Sequence, residues 1–230
     1  MEKIRINEMF ESISGEAGYI PQGSWCTFIR FQGCNLNCAW CDTPQAISSS
    51  SLGTLMTPTQ IAKKVKTKNV IITGGEPLYQ KEGLEELLLK LYPDREIQIE
   101  TNGACAPPKG AHSFAANWVV DYKCPSSCMG SSMPTPKQFV DIWRPHWTMI
   151  KFVIDGSEDW EFAWKQMIIF EALGYDGKYL LSPINANTAV FKALFDGVRV
   201  RTNNLISSRR QSIQNKLIFS LQIHKLIGAK

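Results

Sequence analysis

The chain has 230 residues, 44% of them hydrophobic and 20% charged, which suits one domain with a sizeable buried core. Its 25 Lys and Arg against 21 Asp and Glu leave a formal charge of only +4, with no basic block, so nucleic-acid binding is not expected. No apolar run approaches the roughly 18 residues of a membrane span, and seven cysteines without a signal peptide fit a reducing, cytoplasmic setting in which thiols serve metals rather than disulfides.

Taken in order, residues 4–13 read as a first strand, followed by a loop marked by Gly15 and Gly18. Trp25 to Arg30 is rich in β-branched and aromatic residues and reads as a second strand, with Cys26 a small buried hydrophobe. Serines and a glycine in 45–54 read as a flexible loop. Thr57-Pro58-Thr59-Gln60 is a helix start, Thr as cap and Pro at the first position, for a helix running to about Lys68. Val70–Thr73 is a short strand stopped by Gly74-Gly75, and Lys81–Leu91 a helix with Leu84, Leu87, Leu88 and Leu91 on its core face. Strands follow at Glu96–Thr101 and Trp118–Tyr122, then a second helix start at Thr135-Pro136 and a strand at Thr148–Ile154. Ser157 is read as the cap of a helix to about Leu173, ended by Gly174. A strand at Tyr179–Leu181, a helix from Asn187 that stops before Gly197, and a last strand at 217–223 complete the chain. Such alternation implies βα units on a parallel sheet, whose site lies at the C-terminal ends of the strands.

Between the second strand and the serine loop stands Cys34-Asn35-Leu36-Asn37-Cys38-Ala39-Trp40-Cys41, with thiols spaced C-x3-C-x2-C. Three thiolates this close can wrap one face of a 4Fe–4S cube and leave the fourth iron without a protein ligand, an open position at which chemistry can occur. A structural zinc site is the bland alternative, but it needs a fourth Cys or His that only Cys26 or a distant residue supplies. Cys105, Cys124 and Cys128 have irregular spacing and read as buried free thiols rather than a second cluster.

The cysteine spacing, with an aromatic residue before the third Cys, resembles the radical S-adenosylmethionine superfamily. Ile6-Asn7-Glu8-Met9-Phe10, Ser14-Gly15-Glu16, Phe28-Ile29-Arg30, Cys41-Asp42-Thr43, Ile72-Thr73-Gly74-Gly75-Glu76-Pro77, Ile99-Glu100-Thr101-Asn102-Gly103 and Ser220-Leu221-Gln222-Ile223-His224-Lys225 narrow the resemblance to the 7-carboxy-7-deazaguanine synthase family. The resemblance implies an α/β fold, a partial (β/α) barrel of the radical S-adenosylmethionine type, modified and compact, in one domain over 1–230. It also implies a homodimer, an electron donor such as flavodoxin, and a small pterin substrate, 6-carboxy-5,6,7,8-tetrahydropterin. An activase that places a glycyl radical on a partner protein shares the cysteine motif and is the rival reading. It should lack the Arg30 loop and the Leu-Gln-x-His-Lys ending.

The same resemblance assigns residues. Cys34, Cys38 and Cys41 hold the cluster. Trp40 and Asp42 flank the adenosyl part of S-adenosylmethionine, Gly75 lies against the cofactor, and Glu76 offers a carboxylate to its amino group. Lys123 carries over from a strand-end tripeptide that here reads Asp121-Tyr122-Lys123, and Ser182 joins the cofactor set. Arg30 grips the substrate carboxylate with two parallel hydrogen bonds. Thr73 and the loop Ile13-Ser14-Gly15 also face substrate, although relatives often have Gln where Ser14 stands, so that contact is lost or passes through water. Thr43 supplies the protein oxygen for a magnesium ion. Lys230 brings its main-chain carboxylate to the site mouth, and His224 is read as structural first, a substrate contact second.

Overall fold

The computed structural model describes residues 2–48, 53–108, 116–143, 148–203 and 207–229, with 202, 203 and 207–211 described by backbone alone. Among the described residues nine strands form one mixed sheet. Strand β1 (Ile4–Ile13) runs antiparallel both to β2 (Trp25–Phe31) and to the short β3 (Thr54–Met56). From β2 onward the neighbours are parallel: β4 (Asn69–Gly74), β5 (Glu96–Thr101), β6 (Asn117–Asp121), β7 (Thr148–Ile154), β8 (Lys178–Pro183) and β9 (Leu217–Phe219). Helices α1 (Pro58–Lys64), α2 (Lys81–Leu91), α3 (Pro136–Ile142), α4 (Ser157–Ala172), α5 (Thr188–Asn203) and α6 (Ser207–Lys216) fill the crossovers, and α7 (Ile223–Ile227) closes the chain. Among the described residues no helix is long and apolar enough to cross a membrane.

Strand alternation sorts side chains onto two faces. Ile29, Phe31, Val70, Ile72, Ile97, Ile99, Trp118, Val120, Ile150 and Phe152 join the main core with Leu84, Leu87 and Leu88 of α2 and Trp164, Met167 and Phe170 of α4. Burial of aromatic side chains on this scale is the main stabilising term, at about 25 cal/mol per Å² of apolar surface. On the opposite face Ile71 packs with Cys26 and Ile20, and Val119 with Met149 and Leu180. The loop after β1 covers this second face: Ala17 and Tyr19 pack on Val119, Met149 and Leu180, and Ile20 N–H donates to Gln98 Oε1 at 3.0 Å.

Both helix starts read from Thr-Pro are capping boxes. Thr57 and Thr135 accept from the backbone N–H of Gln60 and Gln138, whose side chains reach back. The departures have local physical reasons. Helix α1 ends at Lys64, short of Lys68, and Thr54 leaves the expected loop to pair with Ile6. Ser157 makes no cap bond; Asp159 in the first turn of α4 instead accepts from Asp155 N–H at 2.9 Å. Gly197 does not stop its helix, because α5 runs through it. A Cβ there would lie 2.8 Å from Trp160 Nε1, so this glycine serves close packing on α4. The last strand stops at Phe219, and residue 223 already begins a helix. Its backbone leaves the sheet for the loop after β1: Ile223 N–H donates to Gly15 O at 2.9 Å, and Ala17 N–H to Ser220 Oγ at 2.9 Å.

Candidate active site

The loop that carries residues 34–41 is closed by backbone bonds between its two ends, at 33–34 and 46–47. Gly33 N–H donates to Ala46 O at 2.8 Å and Cys34 N–H to Ile47 O at 3.0 Å, while Glu76 N–H donates to Gly33 O at 2.8 Å. Gln32, buried, braces the same turn through Nε2 bonds to Gln45 O at 2.9 Å and Ser48 O at 2.6 Å. Gly75 sits where a side chain has no room: a Cβ would meet Ala46 O at 2.5 Å, and Gly33 O is closer still. The glycine therefore allows the end of β4 to touch the cysteine loop.

All three thiols of this loop are free and partly exposed, and all line a cavity of about 220 Å³ at the C-terminal ends of β2 and β4 to β7. Burial pushes the Cys34 and Cys38 thiols up, against help from the Leu36 N–H at Cys34 and the Lys123 charge at Cys38. Asn102 Nδ2 donates toward Cys34 Sγ at 3.7 Å and to Asn35 Oδ1 at 2.8 Å. Among the described residues no three His, Cys, Asp or Glu side chains are grouped as ligands of one ion. A cube takes thiolates at separate corners, so three cavity-facing thiols spread along one loop fit it better than they fit zinc.

The facing wall is charged. Arg30, Thr73, Glu100 and Asp121 stand at or next to the ends of β2, β4, β5 and β6, and Lys151 in the middle of β7, all on the face opposite the main core. Arg30 Nε donates to Glu8 Oε1 at 3.0 Å, and its guanidinium lies 6.0 Å from the Phe10 ring centre. Lys151 pairs with Glu16, whose other oxygen accepts from Gln222 Nε2 at 2.7 Å. Burial would push Lys151 down, but Glu16, Asp121 and Glu100 outweigh it and hold the ammonium well above its usual value. Glu100 is pushed up, first by burial and then by Glu16, with Lys151 and a Thr73 hydrogen bond opposing. Lys123 Nζ meets Asp121 Oδ2 at 2.5 Å and lies 5.2 Å from the Trp40 ring centre. The Asp121 charge overcomes burial and keeps Lys123 protonated above its usual range.

Of the residues singled out in the sequence, Cys34, Cys38, Cys41, Trp40, Asp42, Thr43, Gly75, Lys123, Arg30, Thr73, Ile13 and Gly15 all line this cavity. Burial pushes Asp42 up, but its 2.9 Å pair with Lys225, aided by Lys151 and Arg30, holds the carboxyl below its usual value. Glu76 differs from expectation. It is fully buried, and its carboxylate accepts from Leu78 N–H (2.9 Å), Thr101 Oγ1 (2.7 Å) and Asn102 N–H (2.7 Å), which leaves the expected amino-group contact unsupported. Ser14 is buried and donates to Glu16 O at 3.1 Å rather than lining the cavity. Ser182 is buried outside the cavity lining, its hydroxyl without a partner among the described residues. Tyr122 points into the main core, so only its flanking residues reach the site. Cys124 is buried as expected, but Cys128 is exposed. Lys230 lies outside the described residues. His224 lines the cavity with its ring against Gly15, and burial leads the lowering of its basicity. Glu16, Glu100 and Lys151 received no role from the sequence, although a charge at an alternate, non-core position of a strand is the signal that marks the latter two.

The sequence model of the Radical SAM superfamily matches residues 28–116. A 7-carboxy-7-deazaguanine synthase of Clostridium acetobutylicum is 33% identical over 229 residues, covering 97% of this chain and 95% of the relative. One from Bacteroides thetaiotaomicron is 35% identical over 230 residues, covering 98% of each. The crystal structure of QueE from Escherichia coli superposes with a TM-score of 0.64 at 23% identity, covering 86% of this chain and 91% of that one, a likeness of fold.

Proposed function

This chain belongs to the 7-carboxy-7-deazaguanine synthase family, and from that premise we propose how its residues carry out the family's reaction. It is a radical S-adenosylmethionine lyase that contracts 6-carboxy-5,6,7,8-tetrahydropterin to 7-carboxy-7-deazaguanine with loss of ammonia, a step of deazapurine biosynthesis of the queuosine type. The observation that carries this reading is one cavity shared by the three thiols and by Arg30, Glu100 and Lys151.

When bound, the 4Fe–4S cluster and S-adenosylmethionine supply an electron and a 5′-deoxyadenosyl radical that takes hydrogen from the substrate. Cys34, Cys38 and Cys41 would hold three corners of the cluster, with Asn102 donating toward Cys34. Trp40 and Asp42 would flank the adenosyl part, and Gly75 would let the backbone approach the cofactor. Lys123, kept protonated by Asp121, sets a fixed positive charge beside Trp40. Glu76 braces the strand ends from behind. Ser182, a buried hydroxyl unpartnered among the described residues, is the least supported of the cofactor set.

On the substrate side Arg30 would take the carboxylate. Ile13, Gly15 and Thr73 would shape the pterin slot, and Lys151 would hold Glu16 and the loop that carries it. Thr43 makes no side-chain cap bond to the turn it begins; its hydroxyl lies 3.8 Å from Cys41 Sγ and would offer its oxygen to magnesium. The chain would work as a single domain, a compact partial barrel, in a homodimer that takes electrons from a donor such as flavodoxin.

Arg30→Lys tests the substrate half of this reading. Lysine keeps the charge but loses the two-pronged grip. Calorimetric titration of the tetrahydropterin into iron-free protein is expected to show affinity lowered by about tenfold, the loss of one charged hydrogen bond. Slow 5′-deoxyadenosine release in the reconstituted variant should persist. Unchanged affinity with cleavage stopped would place Arg30 on the cofactor instead.

A further inference from the structure

We propose that Asp159 is a positioning residue that acts through Ser126 on Trp40 and so sets the geometry of the loop bearing Cys38 and Cys41. The proposal deepens the reading of that loop as the cluster loop.

Asp159 stands in the first turn of α4, only 2% exposed. Its Oδ1 accepts from Ser126 N–H at 2.9 Å, and its Oδ2 accepts from Ser126 Oγ at 2.6 Å and Asp155 N–H at 2.9 Å. A hydroxyl that donates to a fixed carboxylate has its rotor locked, so its lone pairs face the other way. There Trp40 Nε1 donates to Ser126 Oγ at 2.9 Å. The same short turn, Pro125–Ser127, accepts from the Ala39 N–H through Ser127 O at 3.1 Å. Side chain and backbone of residues 39 and 40 are thus both docked on one turn, and that turn is fixed by one buried carboxylate. A helix start needs no buried charge, since an exposed Ser or Thr satisfies its N–H groups. Burial of a carboxylate is costly unless several donors meet it, as they do here.

Asp159→Asn keeps the shape but replaces one acceptor oxygen with a donor. Trp40→Phe keeps an aromatic ring but removes the indole N–H. Ser126→Ala cuts the chain between them and covers the case in which Asp159→Asn fails to fold. Amide hydrogen exchange is read over residues 38–41 in the iron-free protein. Each single change is expected to speed exchange several-fold, by about tenfold at most, the range between a neutral hydrogen bond (Trp40 to Ser126) and a charge-assisted one (Ser126 to Asp159). The Asp159→Asn, Trp40→Phe double variant should be no faster than either single one, since all three groups form one chain. Ser126→Thr, which keeps the hydroxyl, should match the parent. In reconstituted protein the relay variants should release more 5′-deoxyadenosine per product. Unchanged exchange in Asp159→Asn and Ser126→Ala, or additive effects of the two relay changes, would overturn the proposal. The exchange readout needs neither cluster nor substrate, so it stands apart from the family's reaction.

Discussion

Replacing Cys34, Cys38 or Cys41 by Ala, one at a time, is expected to remove most bound iron and all measurable turnover, while Cys124→Ala keeps both. The three thiols share one loop and one cavity wall, and all three are only partly shielded. Each holds a separate corner, so loss of any one opens a second iron to solvent and to displacement. Cys124 differs in place and in chemistry. It packs fully buried in the main core, where burial pushes its thiol well above the usual range, and it does not line the cavity that the three loop thiols share. Its replacement leaves a small cavity and a modest loss of stability, about 1 kcal/mol. Iron and sulfide analysis after anaerobic reconstitution checks this, with about four irons per chain in the parent. About eight, falling to four in Cys124→Ala, would mean a second cluster and overturn the assignment.

Lys151→Met is expected to lower turnover by at least a hundredfold and to destabilise the folded chain. Lys151 is paired with Glu16 and lies among Glu100 and Asp121, with its side chain 12% exposed. Removing the cation leaves Glu16 and Glu100 facing one another without the charge they share, while Asp121 keeps its pair with Lys123. Breaking a fully buried pair costs about 3–5 kcal/mol; here the pair opens on a cavity, so water reduces that figure. The carboxylates then bind a proton more readily, and Glu100, already pushed up by burial and by Glu16, rises further. Glu16 loses one of its two holds and, with it, the loop over the cavity loosens. Adding Glu16→Gln to Lys151→Met should restore much of the thermal midpoint but little of the activity. Full turnover in Lys151→Met alone would show that this charge network has no part in the reaction.

Strands β1, β2 and β4 to β8 were legible because each carries its own signal, β-branched alternation and then a glycine, Asn or charged stop, whereas the three-residue β3 carries none. The cysteine loop was legible for the same reason, its chemistry lying within eight consecutive positions. What escaped depends on partners far away in the chain. Residues 220–223 are strand-like in composition, yet after the Ser220 N–H bond to Leu181 O their Ser220 Oγ, Leu221 O and Ile223 N–H turn to the loop at 15–22, some two hundred positions earlier. Gly197 carries the composition of a stop but sits in a helix interior, because its reason is Trp160 on the next helix. Glu76 illustrates the same limit. Gly-Gly-Glu-Pro reads equally as a turn and as a ligand contact, and the carboxylate proves to serve the turn and the neighbouring strand. Glu100 and Lys151 were visible as strand residues; their alternation away from Ile99 and Ile150 pointed at the inner face. Their role emerged only once β5 and β7 were seen to open on one cavity.

The account stands most directly on one anaerobic measurement. Reconstituted protein is mixed with a strong reductant, S-adenosylmethionine, magnesium and 6-carboxy-5,6,7,8-tetrahydropterin, and products are followed by mass spectrometry. Formation of 7-carboxy-7-deazaguanine is expected, dependent on S-adenosylmethionine and absent in the three cysteine variants. Fully loaded protein that yields no deazaguanine would contradict it.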